Sequence, residues 1–207
     1  MAEQIFPTKG NLIKAKRQLA QANMGYELMD RKRNILVREM VSLVEEAKGL
    51  RTSIEITYAE AYQALEQANT TLGLVSAISR TIPVDNSLKL SVRSVMGVEL
   101  PSVSAEIPPI TEPVYPMSLT NIAFDNAYIC FNKVKELTVR LAEVENCIYR
   151  LAVAIKKTQK RANALKNIMI PKFQSRVRFI SGALEEKERE EFSRQKVIKA
   201  TKIRKSK

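Results

Sequence analysis

Side chains that usually perform catalysis or bind metal ions are scarce in this sequence. It has no histidine, and its two cysteines, Cys130 and Cys147, fit no metal-binding or redox spacing, so we expect reduced thiols. No glycine-rich loop precedes a Lys-Ser or Lys-Thr pair, as nucleotide-binding P-loops require. The carboxylates of LEEKEREEF at 184–192 alternate with Lys187 and Arg189, a pattern typical of a solvated helix face. We therefore predict no catalytic, cofactor-binding or metal-binding residue and no enzymatic activity in this chain alone.

Basic residues dominate the C-terminal half of a chain whose net charge is +12. No acidic residue lies between Glu145 and Glu185, and none follows Glu191. Such a surface could bind nucleic-acid phosphates, but no recognition motif is present and aromatic residues are not interleaved as stacking platforms. We expect no nucleic acid as partner, and an acidic protein surface remains open. A basic coiled coil that binds nucleic acid, or a scaffold coil, is the alternative function.

Apolar residues recur at alternating steps of three and four through the N-terminal third of the chain. A 3.5-residue period held this long predicts a left-handed coiled coil. A helix over about residues 12–80 would be roughly 100 Å long at 1.5 Å per residue. Only Arg33, Thr57 and Thr71 interrupt the apolar seam. The first seam comprises Leu12, Ala15, Leu19, Ala22, Tyr26, Met29, Arg33, Leu36, Met40, Leu43, Ala47, Leu50, Ile54, Thr57, Ala61, Ala64, Ala68, Thr71 and Val75.

A second seam fills the C-terminal half. We expect Pro171 to kink this helix, since it removes one backbone hydrogen bond, without ending it. Two long helices joined by a non-helical middle can pair only antiparallel, with Ser118 or Asn121 as the cap of the second helix. The second seam comprises Cys130, Val134, Leu137, Leu141, Val144, Ile148, Leu151, Ile155, Thr158, Ala162, Leu165, Met169, Phe173, Val177, Ile180 and Leu184.

The middle of the chain has a different pattern. Leu88, Leu90 and Val92 alternate with polar residues, which predicts a half-buried strand, and Gly97 can adopt a positive φ at a turn. Prolines at 108, 109, 113 and 116 favour an extended connection. We predict a mainly α fold, a long antiparallel two-helix left-handed coiled coil with a small β-hairpin at the end opposite both termini. The predicted segments are the first helix over 1–82, the connection over 83–117, the second helix over 118–195 and a basic tail over 196–207.

Three blocks resemble the D subunit of V-type and archaeal-type rotary ATPases. They are FPTKGNLIKAKRQLAQANMGYELMDRKRNIL, VMGVELP and LAEVENCIYRLAVAIKKTQKRANALKNIMIPKF. Their order and their coverage of nearly the whole chain make the resemblance specific. Ala162 stands where the family has a larger aliphatic residue, and Lys166 where it has an acid. The positions that match the family pattern are Pro7, Thr8, Asn11, Leu12, Gly25, Leu28, Lys32, Arg33, Met96, Gly97, Pro101, Arg161, Asn163, Ala164, Leu165, Ile170 and Pro171.

The resemblance implies a rotor axle without an active site. In the family, the paired termini enter a catalytic head of alternating A and B subunits, the F subunit clasps the axle, and its lower end rests on the subunit capping the membrane ring. The implied location is the cytoplasmic face of a bacterial or archaeal membrane, and no apolar run here reaches the roughly 20 residues that span a bilayer.

Three groups of residues are therefore candidates for contacts, and no cofactor is expected. For the head-contacting end they are Pro7, Thr8, Lys9, Asn11, Leu12, Arg176, Arg178, Arg194 and Lys196. For the rod they are Gly25, Arg33, Arg161, Asn163, Leu165 and Pro171, and for the hairpin they are Leu88, Leu90, Val92, Met96, Gly97 and Pro101.

Overall fold

The computed structural model describes residues 6–73, 75–84, 86–105 and 114–205. These form a mainly α fold with one two-stranded antiparallel sheet, which confirms the predicted class. The prolines at 108, 109 and 113 lie outside the described residues. The elements are α1 (Lys9–Leu72), α2 (Ser76–Ser79), β1 (Leu88–Val95), β2 (Val98–Ala105), a 3₁₀ turn (Met117–Leu119), α3 (Ile122–Ala164), a π turn (Leu165–Met169) and α4 (Ile170–Lys205).

Local chemistry explains where the long helices begin and end. The Thr8 hydroxyl accepts a hydrogen bond from the Asn11 amide at 3.2 Å and caps α1. The Asn121 side chain accepts one from the Phe124 amide at 3.0 Å, so Asn121 is the cap of α3. Helix α1 stops at Leu72, earlier than the predicted 80, because Gly73 adopts a positive φ of 76°. A glycine in this conformation ends a helix without a proline.

Two compact units make up the chain. Unit 1 consists of Met1–Arg33 and Lys157–Lys207, and unit 2 is Asn34–Lys156. In unit 1 the cross-helix contacts run from Lys9 with Glu188 to Arg33 with Gln159, as in an antiparallel pair. In unit 2 they run from Glu46 with Arg140 to Thr71 with Asn121, again antiparallel. The predicted antiparallel pairing is confirmed within each unit, and the left-handed supercoil stays a prediction.

The predicted seams form most of the buried surface. Ala61 and Ala68 are fully buried, which lets the two backbones of unit 2 approach closely, while Thr71 and Met169 are exposed. The buried seam residues of unit 1 are Ala15, Ala22, Thr158, Ala162 and Ile180. Those of unit 2 are Leu36, Leu43, Ala47, Ile54, Ala61, Ala68, Val75, Val134, Val144 and Leu151.

The β-ribbon packs on the helices of unit 2 around residues 36–50 of α1 and 141–155 of α3, away from the connection between Leu72 and Ile122. Its turn is Met96-Gly97, with φ of 51° and 73°, the two positive values that a tight two-residue hairpin requires. Leu100 is fully buried in a cluster with Leu36, Val144 and Leu151. The expectation that the ribbon lies at the end opposite the termini is therefore wrong. A two-stranded ribbon is only marginally stable alone, and here it is supported by the apolar residues of this part of unit 2.

The face of the ribbon that is buried also differs from the prediction. Residues directly opposite in the register share a face, and Leu100 is opposite Arg93, so the polar residues of β1 lie on the helix side. Leu88, Leu90 and Val92 lie on the other face and are 50%, 79% and 65% exposed. Their prediction as half-buried residues is wrong because β2, not β1, supplies the apolar side chain that enters the core.

A π turn accommodates an irregularity in the second seam. From Leu165 the seam runs through residues 169, 173 and 177, three successive steps of four where steps of three and four should alternate, so this stretch contains one extra residue. The π turn spans Leu165–Met169, and the Ile170 amide bonds to the Leu165 carbonyl. The helix then continues through Pro171, as predicted. Ile170 is partly buried and Met169 is exposed, so the extra residue is absorbed without losing the apolar contact.

An aromatic cluster closes the hairpin end of unit 2. Tyr115 and Phe124 pack edge to face with centroids 4.8 Å apart, against Ala68 and Val75. The Tyr115 hydroxyl donates a hydrogen bond of 2.8 Å to Asp125, which lies in the first turn of α3. Burial, together with this carboxylate, raises the pKa of Tyr115 to about 12. The cluster fixes the connection to the start of α3.

Candidate interaction surfaces

Reactive and membrane-spanning features are missing from the part of the chain that the structure describes. In these residues, no group of three or more Cys, Asp or Glu side chains is arranged to hold a metal ion. Within the same residues, no helix combines the length and the hydropathy needed to cross a membrane. Burial raises the pKa of the Cys147 thiol, which keeps the thiol protonated and poorly nucleophilic.

The predicted head-contacting residues occupy three places in unit 1. Lys9 pairs with Glu188 at 3.2 Å, and Leu12 lines a shallow hollow with Leu184, so the start of α1 meets the middle of α4. Pro7, Thr8 and Asn11 lie just beside this contact. Arg176 and Arg178 lie earlier on α4, and Arg178 is exposed.

The final part of α4 extends beyond the paired region. All of the side chains that the structure describes after Glu188 are exposed, including Phe192 at 58% and Val197 at 66%. Arg194 pairs with Glu190 on the same helix at 3.7 Å, and the Lys196 ammonium lies 4.6 Å from the Phe192 ring centre. Because these contacts are local to the helix, the apolar side chains of the segment are accessible to a partner.

Three of the six predicted rod positions contact the other helix of unit 1, and a fourth, Asn163, bonds to a neighbour on its own helix. Leu165 lies over Gly25, at 3.7 Å from where a Cβ on that glycine would be. Arg33 donates a hydrogen bond of 2.9 Å to Gln159, which donates one of 2.8 Å to Asn163. Arg33 also pairs with Asp30 at 2.7 Å, so a cation in the apolar seam is satisfied. The other two, Arg161 and Pro171, are exposed.

The ribbon is attached to both helices of unit 2 by polar contacts that the sequence did not indicate. Arg93 pairs with Glu39 of α1 at 3.1 Å. Arg150 of α3 donates to the Glu99 carbonyl at 3.2 Å, and the buried Cys147 thiol donates to the Pro101 carbonyl at 3.2 Å. Of the predicted hairpin residues, Gly97 forms the turn and Pro101 takes part in this attachment.

Two residues that hold the elements of unit 2 together were missed at the sequence level. Leu100 lies on the same face of the ribbon as Arg93, and this can be determined only when the register between β1 and β2 is known. Arg140 bridges Glu46 at 2.7 Å and Glu143 at 3.0 Å, and the hydrogen bond that it donates to Glu46 is the main cause of the raised pKa of Arg140. Residues of opposite charge lie beside the seams, so the sequence could have suggested ion pairs between the helices. It could not have shown which residues pair.

The ribbon leaves an apolar face exposed to solvent. Leu88, Leu90 and Val92 share this face with Pro101 and Val103 of β2. Met96 at the turn is 45% exposed. Five apolar residues on one exposed face of a two-stranded sheet are typical of a surface that contacts another protein.

Known proteins are similar to the chain over nearly its full length. A family profile described as the D subunit of ATP synthase matches residues 11–200. The V-type ATP synthase D subunit of Thermotoga neapolitana is 45% identical over 197 residues, covering 94% of this chain and 97% of the relative. The A-type ATP synthase D subunit of Pyrococcus furiosus is 37% identical, covering 94% and 92%. The A-type D subunit of Methanobrevibacter smithii is 35% identical, covering 95% and 87%.

Proposed function

The chain belongs to the family of ATP synthase D subunits, central-stalk components of V-type and A-type rotary ATPases, and we propose that it is the rotor axle of such a complex. In this role it passes torque between the catalytic head and the ion-carrying ring and performs no chemistry itself. The observation that supports the proposal is a pair of long helices with many alanines in the buried seam. The candidate sites on these helices are all surfaces for contact. Small seam residues give a thin helix pair, which suits a shaft turning inside a collar.

The proposed partners follow from the family. We propose that the A and B subunits surround the end of the chain that carries both termini, where α4 exposes Phe192 and Val197 beyond Glu188. The F subunit and the subunit capping the membrane ring would contact unit 2. Its hairpin end exposes Met117, Leu119 and Ile122 at 71%, 60% and 78%. The complex would lie at the cytoplasmic face of the membrane.

The predicted segments take functional meanings in this proposal. Segments 1–82 and 118–195 would form the axle, 83–117 the connection with the ribbon, and 196–207 a basic tail at the head end. The exposed apolar face of the ribbon, at Leu88, Leu90 and Val92, would contact a neighbouring subunit. Arg176 and Arg178 would face the head together with Arg194 and Lys196.

The proposal is tested by what the chain assembles with. Affinity-tagged chain expressed in its own host should recover the A and B subunits from solubilised membranes at a stoichiometric ratio. A second chain, cut after Gln195, is compared with the full-length chain in the same experiment. Because the removed residues lie on exposed helix beyond the seams, the cut chain should keep the melting temperature of the parent but recover less of A and B. Recovery of nucleic acid or of filaments of the chain itself, without A and B, would contradict the rotor function.

A further inference from the structure

The net positive charge of the chain lies in one of its two units. Unit 1 contains 23 basic and 8 acidic residues, a net charge of +15, whereas unit 2 contains 11 and 14, a net charge of −3. Within unit 1, no acidic residue occurs between residues 157 and 178, a segment that contains seven basic residues. We call the cations of this segment the basic belt. They are Lys157, Lys160, Arg161, Lys166, Lys172, Arg176 and Arg178.

Most cations of the basic belt have no carboxylate partner among the described residues. None of Lys157, Lys160, Arg161, Lys172 and Arg178 forms a salt bridge with another described residue. The two described acids of α1 in unit 1, Glu27 and Asp30, already pair with Arg31 and Arg33.

The middle of α4 has a different charge balance. Glu186 and Glu190 lie there among the cations and pair with Arg189 and Arg194. No acid follows Glu191, so the basic belt and the end of α4 are both rich in cations and without acidic residues.

The placement of the basic belt favours a protein partner over nucleic acid. None of its cations lies in the seam, and six of the seven are exposed. The one aromatic residue between 157 and 178 is Phe173, which lies beside Arg176, so the segment has no series of rings on which bases could stack. Cations on several outward faces of a helix fit a partner that surrounds it. Carboxylates are the protein groups that complement such a charge.

Resting on the function proposed above, we propose that the basic belt faces a carboxylate-lined wall of the catalytic head. Exposed ion pairs are individually weak, so the belt guides and centres the axle more than it fixes it. Such an interaction acts over a Debye length of about 8 Å at physiological ionic strength and can persist while the axle turns. It also loses strength as salt is added.

The experiment measures binding of the full chain to an immobilised complex of A and B subunits that lacks this chain. Association rates are recorded at about 50 mM and about 300 mM NaCl, a range over which the screening length changes roughly twofold. The belt variant is Lys157→Glu with Lys160→Glu, and Lys157→Gln with Lys160→Gln is its neutral counterpart. The control is Lys48→Glu with Lys133→Glu, which makes the same change of charge at two exposed residues of unit 2. Circular dichroism melting checks that every variant is folded.

We expect the belt reversal to slow association about tenfold at low salt, the neutral variant to have a smaller effect, and both differences to shrink at high salt. The control should differ from the parent by less than about twofold. Equal effects of the belt and control reversals, or effects independent of salt, would overturn the proposal and leave the rotor function intact. Failure of the parent to bind the head at either salt would overturn both. A duplex DNA that binds the parent as tightly as the head does, with loss in the belt variant, would assign the belt to nucleic acid instead.

Discussion

Replacing Leu100 with alanine should destabilise the chain far more than the same change at Leu90. Both leucines belong to the ribbon, but Leu100 is fully buried against the helices of unit 2 and Leu90 is 79% exposed. Removing a buried leucine side chain costs about 2–5 kcal/mol, because the lost transfer free energy is joined by the cost of a cavity. An exposed substitution usually changes the free energy of unfolding by less than about 0.5 kcal/mol. Because both variants replace leucine with alanine, the difference between their free energies of unfolding reports the effect of burial.

The expected difference is large enough for ordinary melting experiments. For a chain of this size, each kcal/mol shifts the melting temperature by about 2–4 °C, so a cost of about 3 kcal/mol lowers it by roughly 6–12 °C. Circular dichroism at 222 nm gives the midpoint for both variants. A local readout is available because the Cys147 thiol lies under the ribbon, bonded to the Pro101 carbonyl. In a Cys130→Ser background, Leu100→Ala should speed the reaction of Cys147 with a thiol reagent.

The reasoning fails if the two variants melt within about 2 °C of each other, a gap of less than roughly 1 kcal/mol. It also fails if Leu100→Ala leaves the reactivity of Cys147 unchanged while Leu90→Ala raises it, because the ribbon would then cover the helices with its other face. The same packing revises the effect of replacing residues 86–104 with a flexible linker. That change removes Leu100 from the core of unit 2 and should lower the melting temperature.

Three further predictions concern the seam, the π turn and the aromatic cluster. Ala61→Phe should overpack a fully buried position and cost about 1–3 kcal/mol, whereas Ala59→Phe, on an exposed face, should melt like the parent; equal melting temperatures would contradict the seam. Deleting Asn167 restores the alternation of three and four, so this variant should melt at least as high as the parent, while deleting Ala152 from the regular part of α3 should lower the midpoint; the reverse order would refute the one-residue irregularity. Because the folded pKa of Tyr115 is about 12 and the unfolded pKa is near 10, the protein should lose stability as pH rises from about 10 to about 12, and Tyr115→Phe should reduce that loss in urea titrations; an identical loss would exclude Tyr115 as its source.

The helices were predictable because their signal repeats. Apolar residues that recur every 3.5 residues indicate many times which face of the helix packs against its partner. Isolated exceptions such as Thr71 therefore do not change the prediction. The early end of α1 depends on one residue, Gly73, whose positive φ stops the helix. Pro83, ten residues later, is also a residue at which a helix can end, and the sequence alone does not say which of the two acts. The irregular step after Leu165 was present in the spacing, but spacing alone does not state whether a π turn, a kink or a loop absorbs it.

The ribbon was only half predictable. Alternation in β1 states which residues share a face, and Gly97 states where the chain turns. Neither pattern shows which face of the ribbon packs on the helices. That depends on which strand has the apolar side chain that fits the helix surface, and the helix residues are distant in the sequence. Leu100 is that side chain, and the apolar face of β1 is left outside. The polar attachments, such as Arg93 with Glu39, join residues 54 positions apart and follow from that choice.

The π turn also bears on how such a chain can change over generations. In a loop, the gain or loss of one codon is often harmless, but in a paired helix it rotates every later side chain by about 100° relative to its partner. Most single-residue insertions in α1 or α3 should therefore be lost to selection. The turn at Leu165–Met169 holds one such residue in a single widened turn, next to a proline that cannot donate to the preceding carbonyls. Relatives that differ in length within their rods should carry the difference at comparable places.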